Sequence, residues 1–184
     1  KNKPEINEKL MAKANQMADD LRKAGIRVQI DADETKRPGF KFAEYELKGY
    51  PTRIVIGPRD LENGTVEIAR RDTKLKETLS SDDIVGVIQN LLDNIESNLL
   101  KKAQEFRSNN THQVSSYEEF KSVLDSKGGF IEAEWDGTSE TEEKIKEETG
   151  ATIRCIPLEN NLPKGLCIYS GNKAKYKVLF ARAY

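Results

Sequence analysis

The sequence predicts an α/β fold in two domains, and three observations lead to this expectation. Helical and strand-like periodicities alternate over residues 1–107, a polar segment with neither period follows at 108–116, and residues 117–184 begin a second series. The 184 residues are enough for two small cores. Hydrophobic residues make up 36% of the chain and charged residues 33%, which is typical of a folded rather than a disordered protein.

The first domain, residues 1–107, is expected to open on a helix followed by a strand. Pro4 suits a first helical turn, hydrophobic residues then recur at helical spacing, and Gly25 is placed to end the helix. The alternating segment Ile26–Ile30 predicts a strand. A βα unit normally begins with a strand, so we expect the first strand of this domain to be missing from the sequence.

Two further strands and two further helices complete the predicted first domain. They are, in order, a short helix, a buried strand, a strand that returns after the turn "ENG", and a long amphipathic helix. Their expected bounds are Phe40–Lys48, Thr52–Pro58, Thr65–Arg70 and Ile84–Phe106. Ser80 and Asp83 precede the long helix and are candidates for its N-cap.

The second domain, residues 117–184 after the linker 108–116, is expected to be a small α+β unit. The segment "YEEFKSVLDSKGG" predicts a helix ended by glycine, and "SETEEKIKEETG" predicts an acidic helix. Four segments predict strands, namely "FIEAEW", "ATIRCIP", "GLCIYS" and "YKVLFARAY".

The net charge of -1 hides two regions of opposite charge. Residues 36–76 contain ten Lys and Arg against six Asp and Glu, whereas residues 131–148 contain eight acidic residues against two lysines. A polyanion would be attracted to the first region and repelled by the second.

One cation of the basic region lies on a predicted strand and five others lie at or after strand ends, so their long side chains can meet at one edge of a sheet. They are Arg53, Arg59, Arg70, Arg71, Lys74 and Lys76. Arginine can donate two parallel hydrogen bonds to guanine, and Glu46 could accept from a base amino group. Phe40, Phe42 and Tyr45 could stack on an unpaired base. The alternative is a solvated charged face over core aromatic residues, and spacing alone leaves both open.

The sequence shows no catalytic constellation. The single histidine, His112, has no nucleophile near it and is expected at the surface or as a cap, and "GPRDLENG" lacks the lysine and hydroxyl of a P-loop. Cys155 and Cys167 are too few for a disulfide framework and lack the paired spacing of a zinc site. No apolar run approaches the roughly 20 residues of a membrane span, so we expect a cytoplasmic protein that does not contact membranes.

Several long segments, in the same order, closely resemble one family, the archaeal/eukaryotic-like type of prolyl-tRNA synthetase. They are "RPGFKFAEYELKGYPTRIVIGPRDLENG", "ARRDTKLKET", "EFRSNNTHQVSSYEEFK", "EETGATIRCIP" and "KVLFARAY". The resemblance covers essentially the whole chain and is to the C-terminal part of that enzyme. It implies an anticodon-binding domain of the class II synthetase type, with a mixed sheet flanked by helices, followed by the family's C-terminal domain. The catalytic domain, with its ATP and proline sites, lies outside the matched part.

The resemblance implies that the first domain reads the two guanines of the proline anticodon. The family's anticodon-contacting glutamate falls on Glu46 in "YELKG", and its strand arginine falls on Arg53. The basic residue of "GPRD" falls on Arg59, and the lysine before "ET" falls on Lys76. Arginine and lysine suit O6 and N7 of guanine, and a carboxylate suits the N1 and N2 protons of an unpaired base.

The second domain departs from the family at the positions of a metal site. Many relatives bind zinc there with four cysteines, and the matching positions here hold Asp136, Thr141, Cys167 and Ser170. Only one thiolate remains, and Thr and Ser are poor structural ligands, so we expect no zinc. Cys155 falls outside this set and is expected to be a buried core thiol.

The resemblance implies that the intact protein is an enzyme, a proline–tRNA ligase that esterifies proline to tRNA(Pro) with ATP and Mg²⁺. It would be a homodimer through its catalytic domain, with the C-terminal Tyr184 directed toward that domain. The part matched here would bind the anticodon without cofactor or catalysis, and a monomer is left open for it. The alternative is a non-catalytic accessory protein that reuses an anticodon-binding fold to bind protein or nucleic acid.

Overall fold

The computed structural model of the chain describes residues 4–158 and 162–183. The chain divides into two compact units, Lys1–Lys101 and Lys102–Tyr184. The division falls within the long helix, whereas the sequence predicts a linker at 108–116. The expectation for Tyr184 lies outside the described residues.

The first unit combines helices with a three-stranded antiparallel sheet of order β1-β2-β3. Its elements are α1 (Pro4–Lys23), α2 (Pro38–Leu47), β1 (Thr52–Val55), α3 (Pro58–Asn63), β2 (Thr65–Arg70), β3 (Lys76–Ser80) and α4 (Ile84–Asn109), the last continuing past the division. Gly25, with a φ of 81°, ends the first helix in the left-handed conformation that glycine tolerates best.

The core of the first unit lies on one face of this sheet. Val66 and Ile68 of β2 are almost fully buried there, packed with Leu21 of α1 and with Ile84 and Ile88 of α4. Successive residues of a strand point to opposite faces, so the alternate residues of β1, β2 and β3 lie on the face turned away from this core. We call that face the outer sheet face.

The second unit contains a mixed four-stranded sheet of order β4-β5-β7-β6, in which β4 is parallel to β5 and the other pairs are antiparallel. Its elements are β4 (Thr111–Gln113), α5 (Tyr117–Ser126), β5 (Phe130–Trp135), α6 (Ser139–Thr149), β6 (Ala151–Cys155) and β7 (Tyr176–Arg182). Phe120, Ile131, Ile145, Val178 and Phe180 are completely buried between the helices and the sheet. The predicted α/β class is confirmed, and the mixed sheet flanked by helices is the one in this unit.

Residues 108–116 differ from the predicted linker. Helix α4 continues to Asn109, and β4 follows at Thr111–Gln113, in register with Phe130–Glu132 of β5. His112 is therefore half-buried in a strand rather than placed as a cap. Polar composition favours a loop, but pairing with a neighbouring strand overrides this weak local preference.

Two predicted strands are wrong. Ile26–Ile30 is extended but pairs with no strand in the described part of the chain, although Ile26 and Val28 do pack against the core. Alternating hydrophobicity indicates that one side of an extended segment is buried, but a β-strand also requires a neighbouring strand to which it is hydrogen-bonded. The segment "GLCIYS" makes a tight turn instead, in which the Cys167 N–H donates to the Asn172 carbonyl at 2.7 Å and Gly171 has a φ of 69°.

The sequence interpretation also missed two elements and misplaced one side chain. Helix α3 is only six residues long, and β3 reads "KETLS", with Leu79 as its single half-buried residue, so neither shows a clear period. Cys155, expected to be buried, is exposed. It ends the edge strand β6 beyond a register shift between Ile153 and Cys155, which changes the side to which the strand's side chains point.

Candidate nucleic-acid interface

The outer sheet face carries two of the predicted site residues side by side. Arg53 of β1 pairs with Ala69 of β2, and Ala69 pairs with Lys76 of β3. Residues directly opposite each other in antiparallel strands project to the same face. Arg53 and Lys76 therefore flank the small side chain of Ala69.

Helix α2 adds an aromatic ring to this face. The guanidinium carbon of Arg53 lies 3.8 Å from the centre of the Phe42 ring, and the Lys76 Nζ lies 5.9 Å from the same point. Both cations are within the range of attraction to the negative face of an aromatic ring. Phe42 thus positions the two cations on the outer sheet face.

Helix α2 also adds the carboxylate of Glu46, four residues after Phe42 and so on the same side of the helix. Arg53 Nη1 donates to Glu46 Oε1 at 3.5 Å, which is long for a hydrogen bond. The Arg53 side chain is 18% exposed, and its Nε is buried without a hydrogen-bond partner among the described residues. Buried donors are normally paired, so Arg53 keeps donor capacity that its own surroundings do not use.

Glu46 has a second and closer cation. Lys74, on the β2–β3 turn, donates from Nζ to Glu46 Oε2 at 2.7 Å. This hydrogen bond, with the charges of Lys74 and Arg53, holds the pKa of Glu46 below its ordinary value despite the opposing effect of burial. Glu46 is therefore ionised at neutral pH and acts as an acceptor only.

Lys76 is held more loosely than Arg53. Its Nζ lies 3.7 Å from Glu67 Oε1, and its side chain is 52% exposed. Glu67 is two residues before Ala69 on β2 and so projects to the same face. An exposed ion pair of this length contributes little to stability, so the Lys76 ammonium is available to a ligand.

Arg59 stands apart from the other three predicted residues. It is exposed on α3, the short helix that follows β1. Asp60 fixes the start of that helix by accepting the Gly57 N–H at 2.8 Å. In the described part of the chain Arg59 forms no ion pair with Glu46. The structure thus brings Glu46, Arg53 and Lys76 together around Phe42 and leaves Arg59 as a separate cation beyond the end of β1.

A shallow depression, open to solvent, adjoins Glu46 and Arg53, and its lining includes Tyr45, Tyr50 and Arg71. The two tyrosine rings meet edge to face with their centres 5.0 Å apart. The depression therefore combines aromatic surface, an acceptor and guanidinium donors. This is the mixture that can hold a flat, polar-edged ring such as an unpaired base.

The three aromatic residues expected to stack on bases have different surroundings. Phe40 is 60% exposed, with the Lys36 Nζ 5.3 Å from its ring centre. Phe42 lies beneath Arg53, and Tyr45 lines the depression. Phe40 and Tyr45 therefore offer surface to a base, whereas Phe42 supports the cations.

Sequence reasoning placed Lys74 among the cations of the basic region but not beside Glu46, and it did not single out Tyr50. Lys74 reaches Glu46 only because β2 and β3 form a hairpin, and the second strand of that hairpin was not predicted. The segment "RDTKLK" between "TVEIAR" and "ETLS" carried the signal, since Asp and Thr favour turns between two short β-type runs. Tyr50 follows Gly49, whose φ of 88° turns the chain from α2 toward β1.

A carboxylate of the second unit has quite different surroundings. Asp136, only 4% exposed, accepts hydrogen bonds from the hydroxyls of Thr138 at 2.8 Å, Thr141 at 2.9 Å and Ser170 at 2.7 Å, and from the Thr138 N–H at 3.1 Å. Burial raises the pKa of Asp136, but the hydrogen bonds from Ser170, Thr138 and Thr141 outweigh it and lower the pKa to about 2. The carboxylate thus joins the end of β5, the start of α6 and the turn at Ser170.

Three of the four positions that match zinc ligands in the resembled family lie in this cluster, and the fourth, Cys167, is buried in the same turn. The donors around Asp136 are neutral hydroxyls that already occupy its oxygens. Structural zinc prefers thiolate and imidazole ligands, so this set does not fit it. Among residues 4–158 and 162–183 we find no group of three or more His, Cys, Asp or Glu side chains able to hold a metal ion.

Comparison with known proteins finds a matching family model in each unit and relatives over nearly the whole chain. Residues 2–91 match the family model of an anticodon binding domain, and residues 117–184 match that of the prolyl-tRNA synthetase C-terminal domain. The chain belongs to the prolyl-tRNA synthetase family. The predicted resemblance is thereby confirmed.

Relatives within the prolyl-tRNA synthetase family are similar along nearly the whole chain. The proline–tRNA ligase of Amoebophilus asiaticus is 51% identical over 98% of this chain and 37% of its own length. The corresponding ligases of Porphyromonas gingivalis and Flavobacterium psychrophilum are 55% and 54% identical over 94% and 96% of this chain, and over 35% and 36% of their own lengths. The chain thus spans about a third of the length of the curated relatives that it matches. These relatives do not favour the accessory-protein alternative.

None of the helices in the described ranges is both long enough and apolar enough to span a membrane.

Proposed function

We propose that this chain is the tRNA-recognition portion of a proline–tRNA ligase and that it binds the anticodon of tRNA(Pro). The observation that carries this proposal is the convergence of Glu46, Arg53 and Lys76 around Phe42 on the outer sheet face. Three sequence positions from a helix and two strands meet there, with an acceptor and two donors whose hydrogen-bonding capacity is only partly used.

Guanine explains why this site combines opposite charges. Its O6 and N7 accept hydrogen bonds, which suits Arg53 and Lys76, and its N1 and N2 protons can be donated to the ionised Glu46. A site for phosphate alone would have no use for the carboxylate. Arg59, exposed beyond β1, would contact a neighbouring nucleotide or the backbone, and the other cations of residues 36–76 would add salt-dependent attraction.

The remaining activities belong to the intact protein. It would activate proline with ATP and Mg²⁺ in a catalytic domain outside this chain, esterify the proline to tRNA(Pro), and act in the cytoplasm as a homodimer. These residues would contribute selection of the anticodon and no catalytic group. They would bind no zinc, because the Asp136 cluster offers hydroxyls in place of thiolates. Metal analysis of the purified protein tests this last point, and stoichiometric zinc held by these positions would contradict it.

Binding of an anticodon stem-loop RNA to the intact protein tests the recognition proposal. Replacement of either anticodon guanine by adenine should weaken binding about 10- to 100-fold, because one base contact is worth roughly 1–3 kcal/mol. Arg53→Ala should weaken binding of the guanine-containing RNA to a similar extent and reduce the difference between the RNAs.

Lys144→Ala is the matched control, since Lys144 also pairs with a glutamate, Glu140 at 2.8 Å, but lies on α6 of the second unit. It should leave the affinity for every RNA unchanged. Equal affinity of the unaltered protein for guanine- and adenine-containing RNAs would overturn the proposal.

A further inference from the structure

Lys74 has an unusual backbone conformation for a residue with a side chain. Its φ is 62°, and it is the only residue other than glycine with a positive φ in the described part of the chain. Side chains with a Cβ rarely adopt the left-handed region, and such strain is found where a functional arrangement requires it. Asparagine or glycine would fit this turn with less strain.

The strained backbone places the ammonium of Lys74 on one particular acceptor. Lys74 Nζ lies 2.7 Å from Glu46 Oε2, although the two residues are 28 positions apart and belong to different elements. Among the described residues, the other oxygen, Oε1, has only the 3.5 Å contact with Arg53 Nη1. One carboxylate oxygen is thus firmly held and the other has free acceptor capacity.

The partners of Lys74 separate it from Arg53 and Lys76. Its side chain is 63% exposed, against 52% for Lys76 and 18% for Arg53. In the described part of the chain, Arg53 and Lys76 lie against the Phe42 ring, whereas Lys74 makes no such cation–ring contact. Its geometry is that of a residue that acts through Glu46.

We infer that Lys74 is a positioning residue for anticodon recognition, which holds Glu46 Oε2 so that Oε1 accepts the N1 and N2 protons of a guanine. The inference rests on the function proposed above and adds to it a specificity-determining residue outside Glu46, Arg53, Arg59 and Lys76. Without Lys74, the carboxylate would rotate toward Arg53, and both groups would satisfy each other instead of the base. A loss of selectivity for guanine, rather than a loss of general RNA affinity, is the expected result.

Inosine provides the probe for this inference, because it lacks the N2 amino group of guanine and otherwise keeps its shape and its O6 and N7 acceptors. Binding of the intact protein is measured to anticodon stem-loops that carry guanine or inosine at each of the two positions. We expect the unaltered protein to prefer guanine about tenfold at one position, and Lys74→Gly to reduce this preference to about twofold. Glycine removes the ammonium and relieves the positive φ, so the variant should fold, as thermal unfolding would verify.

A double-mutant cycle of Lys74→Gly with Glu46→Gln distinguishes a Lys74 that positions Glu46 from a Lys74 that contacts the RNA directly. If Lys74 acts through Glu46, Lys74→Gly causes no further loss of preference in the Glu46→Gln protein. If Lys74 contacts a phosphate, the variant weakens binding of both RNAs equally, lowers the slope of log affinity against log salt by about 0.7–0.9, and keeps the guanine preference. That result, or additive effects in the cycle, would overturn the inference.

Lys48→Ala is the matched control, because Lys48 pairs with a neighbouring glutamate of α2, Glu44, at 2.6 Å. It should leave the preference for guanine over inosine intact, and an equal loss in this variant would contradict a specific role for Lys74. Failure of the proposed function gives a different result: the unaltered protein itself would then show no preference among guanine, inosine and adenine.

Discussion

Two carboxylates, one in each unit, have different surroundings, and the surroundings suit one to stabilising the fold and the other to binding a ligand. Asp136 is 4% exposed and accepts four hydrogen bonds from two threonines and a serine of its own unit. Glu46 has a side chain that is 39% exposed, a close contact with Lys74 and a long one with Arg53. The first carboxylate has its acceptor capacity filled by neutral donors, whereas the second has cationic partners and unused capacity.

The difference teaches that burial and completeness of hydrogen bonding, and not charge alone, separate the two roles. A buried carboxylate with every oxygen occupied stabilises the fold and has nothing left for a ligand. An exposed one with an oxygen that is only weakly engaged adds little to stability but can accept hydrogen bonds from a base. Substitutions of Asp136 should therefore lower stability, and substitutions of Glu46 should change RNA selectivity.

Asp136→Ala should produce the largest loss of stability, about 3 kcal/mol in the free energy of unfolding of the second unit. The substitution removes the acceptor of the buried Thr141 hydroxyl and of the more exposed Ser170 hydroxyl, and an unsatisfied buried polar group is costly. Trp135 is the only tryptophan of the chain and precedes Asp136, so its fluorescence during urea unfolding reports on this unit.

Glu140→Ala is the control for Asp136→Ala, because Glu140 also lies in the acidic segment but is exposed and forms a surface ion pair with Lys144. It should leave the urea midpoint nearly unchanged. Equal midpoints for the Asp136→Ala protein and the unaltered protein would show that the cluster contributes nothing to stability.

Lowering the pH should remove part of the stability that the Asp136 carboxylate provides, and this loss should be smaller than that caused by Asp136→Ala. The pKa of Asp136 is about 2 in the folded protein, against about 3.9 in an unfolded chain, so the unfolded state binds the proton first as the pH falls. The stabilisation is fully present above roughly pH 4.5 and is lost between about pH 4 and pH 2, to the extent of about 2 kcal/mol.

Comparison with Asp136→Asn isolates this titration from that of other carboxyl groups. The difference in unfolding free energy between the two proteins, followed by Trp135 fluorescence, should shrink as the pH is lowered from 5 toward 2. Asp72 of the first unit also has a lowered pKa, because Arg70 donates two hydrogen bonds to it and Asn98 a third. Asp72 is present in both proteins, so a difference that stays constant with pH would contradict the assignment to Asp136.

The sequence was a good guide to the elements with strong periods and to the residues of the outer sheet face. Glu46, Arg53 and Lys76 were chosen from the resemblance and are found together around Phe42, although their contact with tRNA stays a prediction. The long helix and the strand Thr65–Arg70 were also predicted correctly, because their hydrophobic residues recur at regular spacing.

The errors have a common physical origin in features that depend on neighbours distant in sequence. Ile26–Ile30 has the alternation of a strand but no paired strand among the described residues, and Cys155 is turned outward by a register shift in β6. Lys74 is part of the site because a hairpin and a positive φ place it beside Glu46. Each of these facts depends on contacts between distant parts of the chain, so local composition alone does not establish it.

The smallest expected change in stability is that of Glu46→Gln, and it completes the contrast with Asp136. Glu46 is exposed and its ion pairs with Lys74 and Arg53 are at the surface, so the urea midpoint of the first unit should not move measurably. The same variant should nevertheless lose preference for guanine over inosine in the anticodon stem-loop, because a neutral amide is a weaker acceptor than a carboxylate. The first unit is best followed by helix circular dichroism in urea together with RNA binding by anisotropy. A large shift in the midpoint would mean that Glu46 is as structural as Asp136, and unused acceptor capacity would then no longer distinguish a binding carboxylate from a stabilising one.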